Sequence, residues 1–242
     1  MRIANGLEMI ELEIEAFGHR DVLHPTLIWD HESAVLVDTG MPGQYQQLRS
    51  AMSEAGVSFD KLKAVILTHQ DIDHIGSLPE IVQESGGAIK VYAHERDKPY
   101  IEGEMPLIKT DTSRMSSDAL EALPEEVIAL YSNPPKAKVD KTLAEGEVLP
   151  VCGGMQIIYT PGHAPGHISL YLRQSKTLIA GDAMIIHNGI LRGPVQQTTL
   201  DMATAMESIN KFLDLDIEAV ICYHGGLFTD TPNKRLIEIA SS

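Results

Sequence analysis

Short apolar runs separated by polar breaks recur along the chain. MIELEIEAF (9–17), TLIWD (26–30), AVLVD (34–38), KAVILT (63–68) and IKVYA (89–93) come first. MQIIYT (155–160), ISLYL (168–172), TLIAGD (177–182) and AVICY (219–223) follow. Each has strand length, is rich in apolar side chains, and is bounded by Gly, Pro or Asp, so each predicts a strand. Between them, 43–55, 77–85, 199–213 and 232–240 carry helical spacing. Strands dominate early and alternate with helices later. That mixture predicts an α/β (α+β) chain whose sheets pack face to face with helices outside. Residues 95–150 break the rhythm with Pro99, Pro106, Pro124, Pro134 and Pro135, and predict one helix over 116–131. We read them as an insertion, or lid, on a single domain spanning 1–242.

Several of these runs end in chemistry. His69, Asp71, Asp73 and His74 follow the strand 63–68. His163 follows 155–160 in TPGHAPGH, Asp182 ends TLIAGD, and His224 ends AVICY. Residues just past several strand ends collect on one rim of a sandwich, where binding groups gather. Imidazole nitrogen and carboxylate oxygen suit zinc, iron and manganese. Seven such groups are more than one ion can use.

The pieces VDTG (37–40), THQDIDHIG (68–76), TPGHAPGH (160–167), AGD (180–182) and YHGG (223–226) stand in a fixed order. In them the chain resembles the metallo-β-lactamase-fold hydrolases over nearly its whole length. The resemblance implies a four-layer αββα sandwich and two divalent metal ions, zinc first among the candidates. It assigns His69, Asp71 and His163 to the first ion, Asp73, His74 and His224 to the second, and Asp182 as a bridge. It also implies that Asp38 supports the site from behind. His167 is expected to hydrogen-bond within its own loop. Asp73 is the candidate to take up the nucleophile's proton and pass it to the leaving group. The family's usual run is HxHxDH, whereas this chain has HxDxDH. A carboxylate at 71 lowers the charge of the site by one and moves preference toward iron or manganese. Asp71 as a direct ligand, as a residue short of the metal, and as a ligand through water are all open at this point.

The implied function is metal-dependent hydrolysis of an ester-like bond: a lactone, thioester or ester, with a β-lactam further down the order. An iron-dependent oxidoreductase acting on oxygen or sulfur is the alternative, and a non-catalytic metal-binding protein the next. A glyoxalase II is expected to carry a C-terminal helical region, and only one short helix is predicted after His224. Two segments are expected to shape the pocket: 95–112, with Tyr100, Ile101, Met105 and Pro106, and 184–197, with Met184, Ile186 and Leu191; His187 is a further candidate to face the substrate, with a plain surface loop as the preferred reading. Their apolar content points to a substrate with a hydrophobic portion; packing on the core alone is the competing reading.

Charge narrows the partners. Nineteen Lys and Arg against 34 Asp and Glu give a net charge of −15, with no basic run of the kind that grips phosphate backbones. The expected partner is therefore a small-molecule substrate, with no nucleic acid and no membrane; the oligomeric state is open. No apolar stretch approaches the ~20 residues of a spanning helix, and the N-terminus does not read as a signal peptide. The two cysteines, Cys152 and Cys222, are expected as reduced, buried thiols. The expected location is the cytoplasm.

Overall fold

The apolar runs fold as strands of two sheets in a computed structural model that describes residues 1–16, 19–151 and 153–241. The chain opens with β1 (Arg2–Ala4), β2 (Leu7–Met9), β3 (Leu12–Ala16), β4 (His19–Leu23), β5 (Thr26–Trp29) and β6 (Ala34–Val37). Then come α1 (Tyr45–Glu54), β7 (Leu62–Ile66), α2 (Ile72–Ile75), α3 (Leu78–Glu84) and β8 (Lys90–His94). The segment predicted as an insertion holds α4 (Lys98–Ile101), α5 (Ser117–Glu121), α6 (Glu125–Ser132), β9 (Lys141–Leu143) and β10 (Val148–Leu149). The second half runs β11 (Met155–Tyr159), β12 (Ile168–Leu172), β13 (Thr177–Gly181), β14 (Ile185–His187) and β15 (Ile190–Arg192). It closes with α7 (Met202–Ile209), β16 (Ala219–Cys222), β17 (Gly226–Phe228) and α8 (Pro232–Ala240).

One sheet has the order β1-β2-β5-β6-β7-β8-β9 and the other β10-β11-β12-β13-β16-β17; β3–β4 and β14–β15 are separate hairpins. The pairs β6–β7, β7–β8 and β13–β16 are parallel. Strands covered on both faces need apolar residues at every position, not alternate ones. Ala34–Val37 accordingly reads AVLV with all four residues buried. Val35, Val37, Ala64 and Ile66 face the other sheet, where they meet Ile157, Leu170, Ile179 and Ile221. Leu36, Val65 and Leu67 turn the opposite way and pack with Leu48 and Met52 of α1 and Leu78 and Ile81 of α3. On the far side, Leu178, Ala180 and Val220 pack with Ile209, Phe212, Leu236 and Ile239. The architecture is the predicted four-layer αββα sandwich.

Two predictions need correction. The single helix expected over 116–131 is two, because Pro124 has no N–H to continue α5 and instead caps α6. The run 9–17 is not one strand. It breaks after Met9, where Ile10 donates its N–H to Pro25 O at 2.8 Å, and β3 leaves the sheet as a hairpin arm. Cys222 is buried as expected, and burial pushes its thiol well up. Cys152 lies outside the described residues. No helix among those residues is long and apolar enough to cross a membrane.

Candidate metal centre

The parallel strands bring their C-terminal ends to one rim, as open α/β sheets do at binding crevices. Asp38 follows β6, His69 follows β7, Asp182 follows β13, and His224 lies just past β16. His163 projects from the turn between β11 and β12. All seven predicted ligand residues meet there. Asp71 Oδ2 is 3.1 Å from His69 Nε2 and 3.1 Å from His163 Nε2. Across the rim, Asp73 Oδ2 is 3.2 Å from His224 Nε2 and 3.6 Å from His74 Nε2. Asp182 lies between the two sets. Its Oδ2 is 3.3 Å from His163 Nε2 and 3.6 Å from His224 Nε2, and its Oδ1 is 3.5 Å from His74 Nε2.

His69 Nε2, His74 Nε2, Asp71 Oδ1 and Asp182 Oδ1 are buried and, among the described residues, have no partner in hydrogen-bond geometry; the carboxylate oxygens beside the two imidazole nitrogens, Asp71 Oδ2 at 3.1 Å and Asp182 Oδ1 at 3.5 Å, are at ion-pair distance only. An unpaired buried polar atom costs about 1–3 kcal/mol, so native proteins rarely keep several together. Four in one place, two imidazole nitrogens and two carboxylate oxygens, form a donor set that a divalent cation satisfies. The ligand-type atoms of His69, Asp71 and His163 lie within 4.8 Å of one another, as do those of Asp73, His74 and His224, and those of His69, His74 and Asp182.

The surrounding hydrogen bonds fix which ring nitrogens face inward. Thr68 donates its N–H to Asp38 Oδ1 at 2.8 Å and its hydroxyl to Asp38 Oδ2 at 2.8 Å. With the hydroxyl proton so engaged, Thr68 Oγ1 accepts from His69 Nδ1 at 3.1 Å. His74 Nδ1 donates to Asp38 Oδ2 at 3.0 Å. Both Nε2 atoms therefore point at the centre, the arrangement by which outer carboxylates orient metal-binding imidazoles. The support expected of Asp38 is thus a pair of fixed imidazoles. His167 also does more than bond within its loop. Its Nε2 accepts the Asp182 N–H at 2.9 Å, so its Nδ1 donates to Thr160 Oγ1 at 2.8 Å. Burial, then the nearby His69 and His163, keep it neutral. Gly181, at φ +55, leaves the space for this ring: a Cβ there would stand 2.7 Å from His167 Nε2.

Four contributors escaped the sequence reading. Asp97 is fully buried and accepts the Gln70 N–H at 2.9 Å and the Gly166 N–H at 2.7 Å, tying the His69–Asp71 loop to the His163 loop. Burial is the main cause that raises its carboxyl to about 7. Asp21 of the β3–β4 hairpin reaches His224 Nδ1 at 3.8 Å. Tyr131 of α6 lines the cavity, its phenol raised by burial and then by Asp73. The Lys109 ammonium lies against Asp71 Oδ2 and 2.6 Å from His163 Nε2. Only Asp97 had a local signal: HERDKPY places it next to a strand end.

In the metal-free protein several charges are already set. Burial, and then the charge of His74, push His69 down to about 4, so it is a neutral ligand at neutral pH. Burial works against protonation of His224, but Asp182, Asp21 and Asp73 raise it to about 10. His74 is likewise opposed by burial and raised by Asp73, Asp38 and Asp182. A cation entering the Asp73 side must therefore expel protons, about two per chain near neutral pH. The expected result is a calorimetric zinc-binding heat that varies with the ionisation enthalpy of the buffer; a buffer-independent heat contradicts it. Zinc affinity should rise with pH toward about 10. The metal-free fold should respond in the opposite sense. A histidine raised above its unfolded value of 6.5 stabilises fully below that pH and loses its contribution as pH climbs through about 10.

A cavity of about 590 Å³ opens over the centre. Ile72, Leu107, Tyr131, Ile185, Ile186 and Val195 contribute to its walls, with Asp71, Asp73 and His224 among its polar groups. Both predicted segments contribute, but most of the residues singled out within them do not. Ile186 lines the cavity, and so does His187, where the sequence favours a plain surface loop. Ile101 is fully buried in the core beneath α4, and Tyr100 packs against that same core. Met184 is fully buried against the α7–α8 layer. Met105 is 46% exposed and lines a different hollow. The helical turn of α4 directs Tyr100 and Ile101 to the core, and the cavity is served by the turn Ile108–Thr110 that follows.

A two-sheet sandwich with a His and Asp rim at its strand ends defines the metallo-β-lactamase class of fold. The chain belongs to the metallo-beta-lactamase superfamily, whose family model matches residues 24–224. The "Probable metallo-hydrolase YflN" of Bacillus subtilis (strain 168) is 35% identical over 212 residues, 80% of this chain and 75% of that one. The "Hydroxyacylglutathione hydrolase GloC" of Haemophilus influenzae is 29% identical over 87% of this chain and 89% of its own length. Among solved structures, the archaeal superfamily protein ST1585 from Sulfolobus tokodaii matches with a TM-score of 0.65 and 27% identity, over 98% of this chain and 85% of that one.

Proposed function

We propose that the protein is a metal-dependent hydrolase that cleaves an ester-like bond, in a lactone, thioester or ester, within a small molecule that has an apolar portion. The observation that carries the reading is the set of four buried imidazole and carboxylate atoms on His69, His74, Asp71 and Asp182 that lack a hydrogen bond among the described residues, beneath a cavity with apolar walls. His69, Asp71 and His163 would hold one divalent ion and Asp73, His74 and His224 the other, with Asp182 shared. Bound there, such ions acidify water and polarise a carbonyl oxygen. The chain's own residues supply the remainder. Asp73, partly exposed to the cavity, is kept ionised: burial opposes this, while His74 and His224 lower its carboxyl. It is the acceptor for the proton of an attacking water and the donor to the leaving oxygen or sulfur. Tyr131, protonated at neutral pH, offers a hydrogen bond from the cavity wall. The apolar walls receive the acyl part of the substrate and limit competing water.

One comparison bears on the substrate. A relative named for hydroxyacylglutathione hydrolysis is matched over 89% of its length, so this activity does not demand the long C-terminal helical addition that the sequence reading expected of glyoxalase II. A thioester stands beside a lactone on that account. The net charge of −15 sets nucleic acids and anionic membranes aside as partners. The place of Asp71, 3.1 Å from two imidazole nitrogens, supports direct ligation and keeps iron and manganese beside zinc as candidates. It is also the observation that favours the second reading, an iron-dependent oxidoreductase.

The test is metal-depleted protein reconstituted separately with zinc, manganese or ferrous iron. It is then offered lactone, thioester, carboxylic ester, phosphodiester and β-lactam substrates. Turnover of one of the first three, restored by metal, is expected. Oxygen or sulfur-compound consumption restored only by iron, with no hydrolysis, would move the assignment to the second reading.

A further inference from the structure

Asp71 and Lys109 stand 38 positions apart in sequence, yet their charged ends meet in the centre. A carboxylate at 71 adds one negative charge to the set formed with His69 and His163. The ammonium of Lys109 supplies one positive charge to the same set, against Asp71 Oδ2 and 2.6 Å from His163 Nε2. These are two of the three groups that would hold the ion on the Asp71 side. The lysine is not on a loose strap. It sits in the helical turn Ile108–Thr110, and Ile108 donates its N–H to Gln70 Oε1 at 3.1 Å, which pins the turn to the ligand loop between His69 and Asp71. Among the described residues no lysine or arginine stands within ion-pairing distance of Asp73 or Asp182; the groups there are His74, His163 and His224.

We propose that Lys109 is the resident cation of the Asp71–His163 position, so that the centre takes its first metal ion beside Asp73, His74 and His224 and admits a second only by displacing the lysine. The inference rests on the reading of this rim as a metal centre. Charge makes the order follow. A dication brought to the Asp71 side meets an ammonium at contact distance, and like charges in a poorly solvated site repel by several times their energy in water. On the Asp73 side no lysine or arginine among the described residues stands at contact distance, so an entering ion displaces no side-chain ammonium. The pairing also accounts for aspartate at 71. A histidine there would take away the carboxylate that pairs with the ammonium and set another imidazole beside it. A buried charge without a partner is a large penalty, which the carboxylate removes.

The test uses zinc as the probe, with metal content by mass spectrometry and stepwise affinities by chelator competition on the metal-depleted full chain. Lys109→Met, Lys109→Arg, Asp71→His and the double variant Asp71→His/Lys109→Met are compared, each checked for fold by circular dichroism. In the parent, one zinc should bind tightly and the second at least about tenfold more weakly; Lys109→Met should close that gap, and Lys109→Arg should keep it. Asp71→His alone should widen it, and the double variant should bind two ions with similar affinity. Anomalous scattering at one equivalent of zinc should place the ion beside His224 and not beside His163. Two equally tight zinc ions in the parent, or a gap unchanged in Lys109→Met, overturns the proposal while leaving the hydrolase reading intact. Failure of every variant to bind zinc overturns both.

Discussion

Replacing Asp182 by asparagine is expected to lower metal content and turnover together, with turnover falling at least about 100-fold. The carboxylate reaches both halves of the centre: Oδ2 lies near His163 and His224, and Oδ1 near His74. It is also the shared counter-charge. Burial works to raise its carboxyl, but His224, His74 and His163 hold it well below the usual range. An amide keeps one good oxygen and loses the charge, so at most one half of the centre retains its ligand. The backbone at 182 should stay in place, because its N–H is held by His167 Nε2 and not by its own side chain. Unfolding curves of the metal-free parent and variant separate loss of metal from loss of fold. Two zinc ions per chain and parental turnover in Asp182→Asn would remove this residue from its shared role.

The parts of the molecule that were legible in the sequence share a physical cause. AVLVD and KAVILT read as buried strands because residues covered on both faces must be apolar without alternation, and β6 and β7 show this. The seven ligand-type residues were legible because carboxylates and imidazoles at the ends of such runs have no structural reason to be there. What stayed hidden depends on groups distant in sequence meeting in space. Lys109 lies in a stretch of charges and prolines where a lysine reads as a solvated side chain; only the fold of 95–112 across the rim brings it to Asp71. Asp97 joins two loops through backbone N–H groups, which leave no mark in side-chain pattern. Tyr100, Ile101, Met105 and Met184 failed as pocket residues for the converse reason. Apolar residues in an irregular segment can turn inward or toward a cavity, and the periodicity of a four-residue helix is too short to decide. The break at Pro124 was legible and was passed over, since a proline without an N–H ends α5 where the apolar spacing alone continued.

The second large effect is expected at Asp38, which touches no cavity. It sits at φ +61, a left-handed conformation that aspartate tolerates better than most residues, and it is 1% exposed. Its two oxygens take the Thr68 N–H, the Thr68 hydroxyl and the His74 Nδ1 proton. Asp38→Ala takes the acceptor from the Thr68 N–H and hydroxyl and leaves His74 Nδ1 only Thr68 Oγ1, 3.2 Å away; at about 1–3 kcal/mol for each buried donor left unpaired, a loss of about 2–6 kcal/mol is expected in the metal-free protein. The same change frees the Thr68 hydroxyl and the His74 ring. His69 and His74 then lose the bonds that keep both Nε2 atoms inward, and zinc affinity should fall about 10- to 100-fold. Asp38→Asn distinguishes the two effects. Its amide oxygen can still accept the Thr68 N–H and preserve much of the fold, while its NH2 group replaces the acceptor that His74 requires. Denaturant unfolding and chelator competition, run on both variants, read stability and metal affinity separately. The expected pattern is Asp38→Ala weakened in both, and Asp38→Asn weakened mainly in zinc affinity. If Asp38→Asn binds zinc as the parent does, the orientation of His74 is set by Thr68 Oγ1, 3.2 Å from its Nδ1, and by the tilted Tyr223 ring, whose centroid lies 3.8 Å away, and not by the carboxylate behind it.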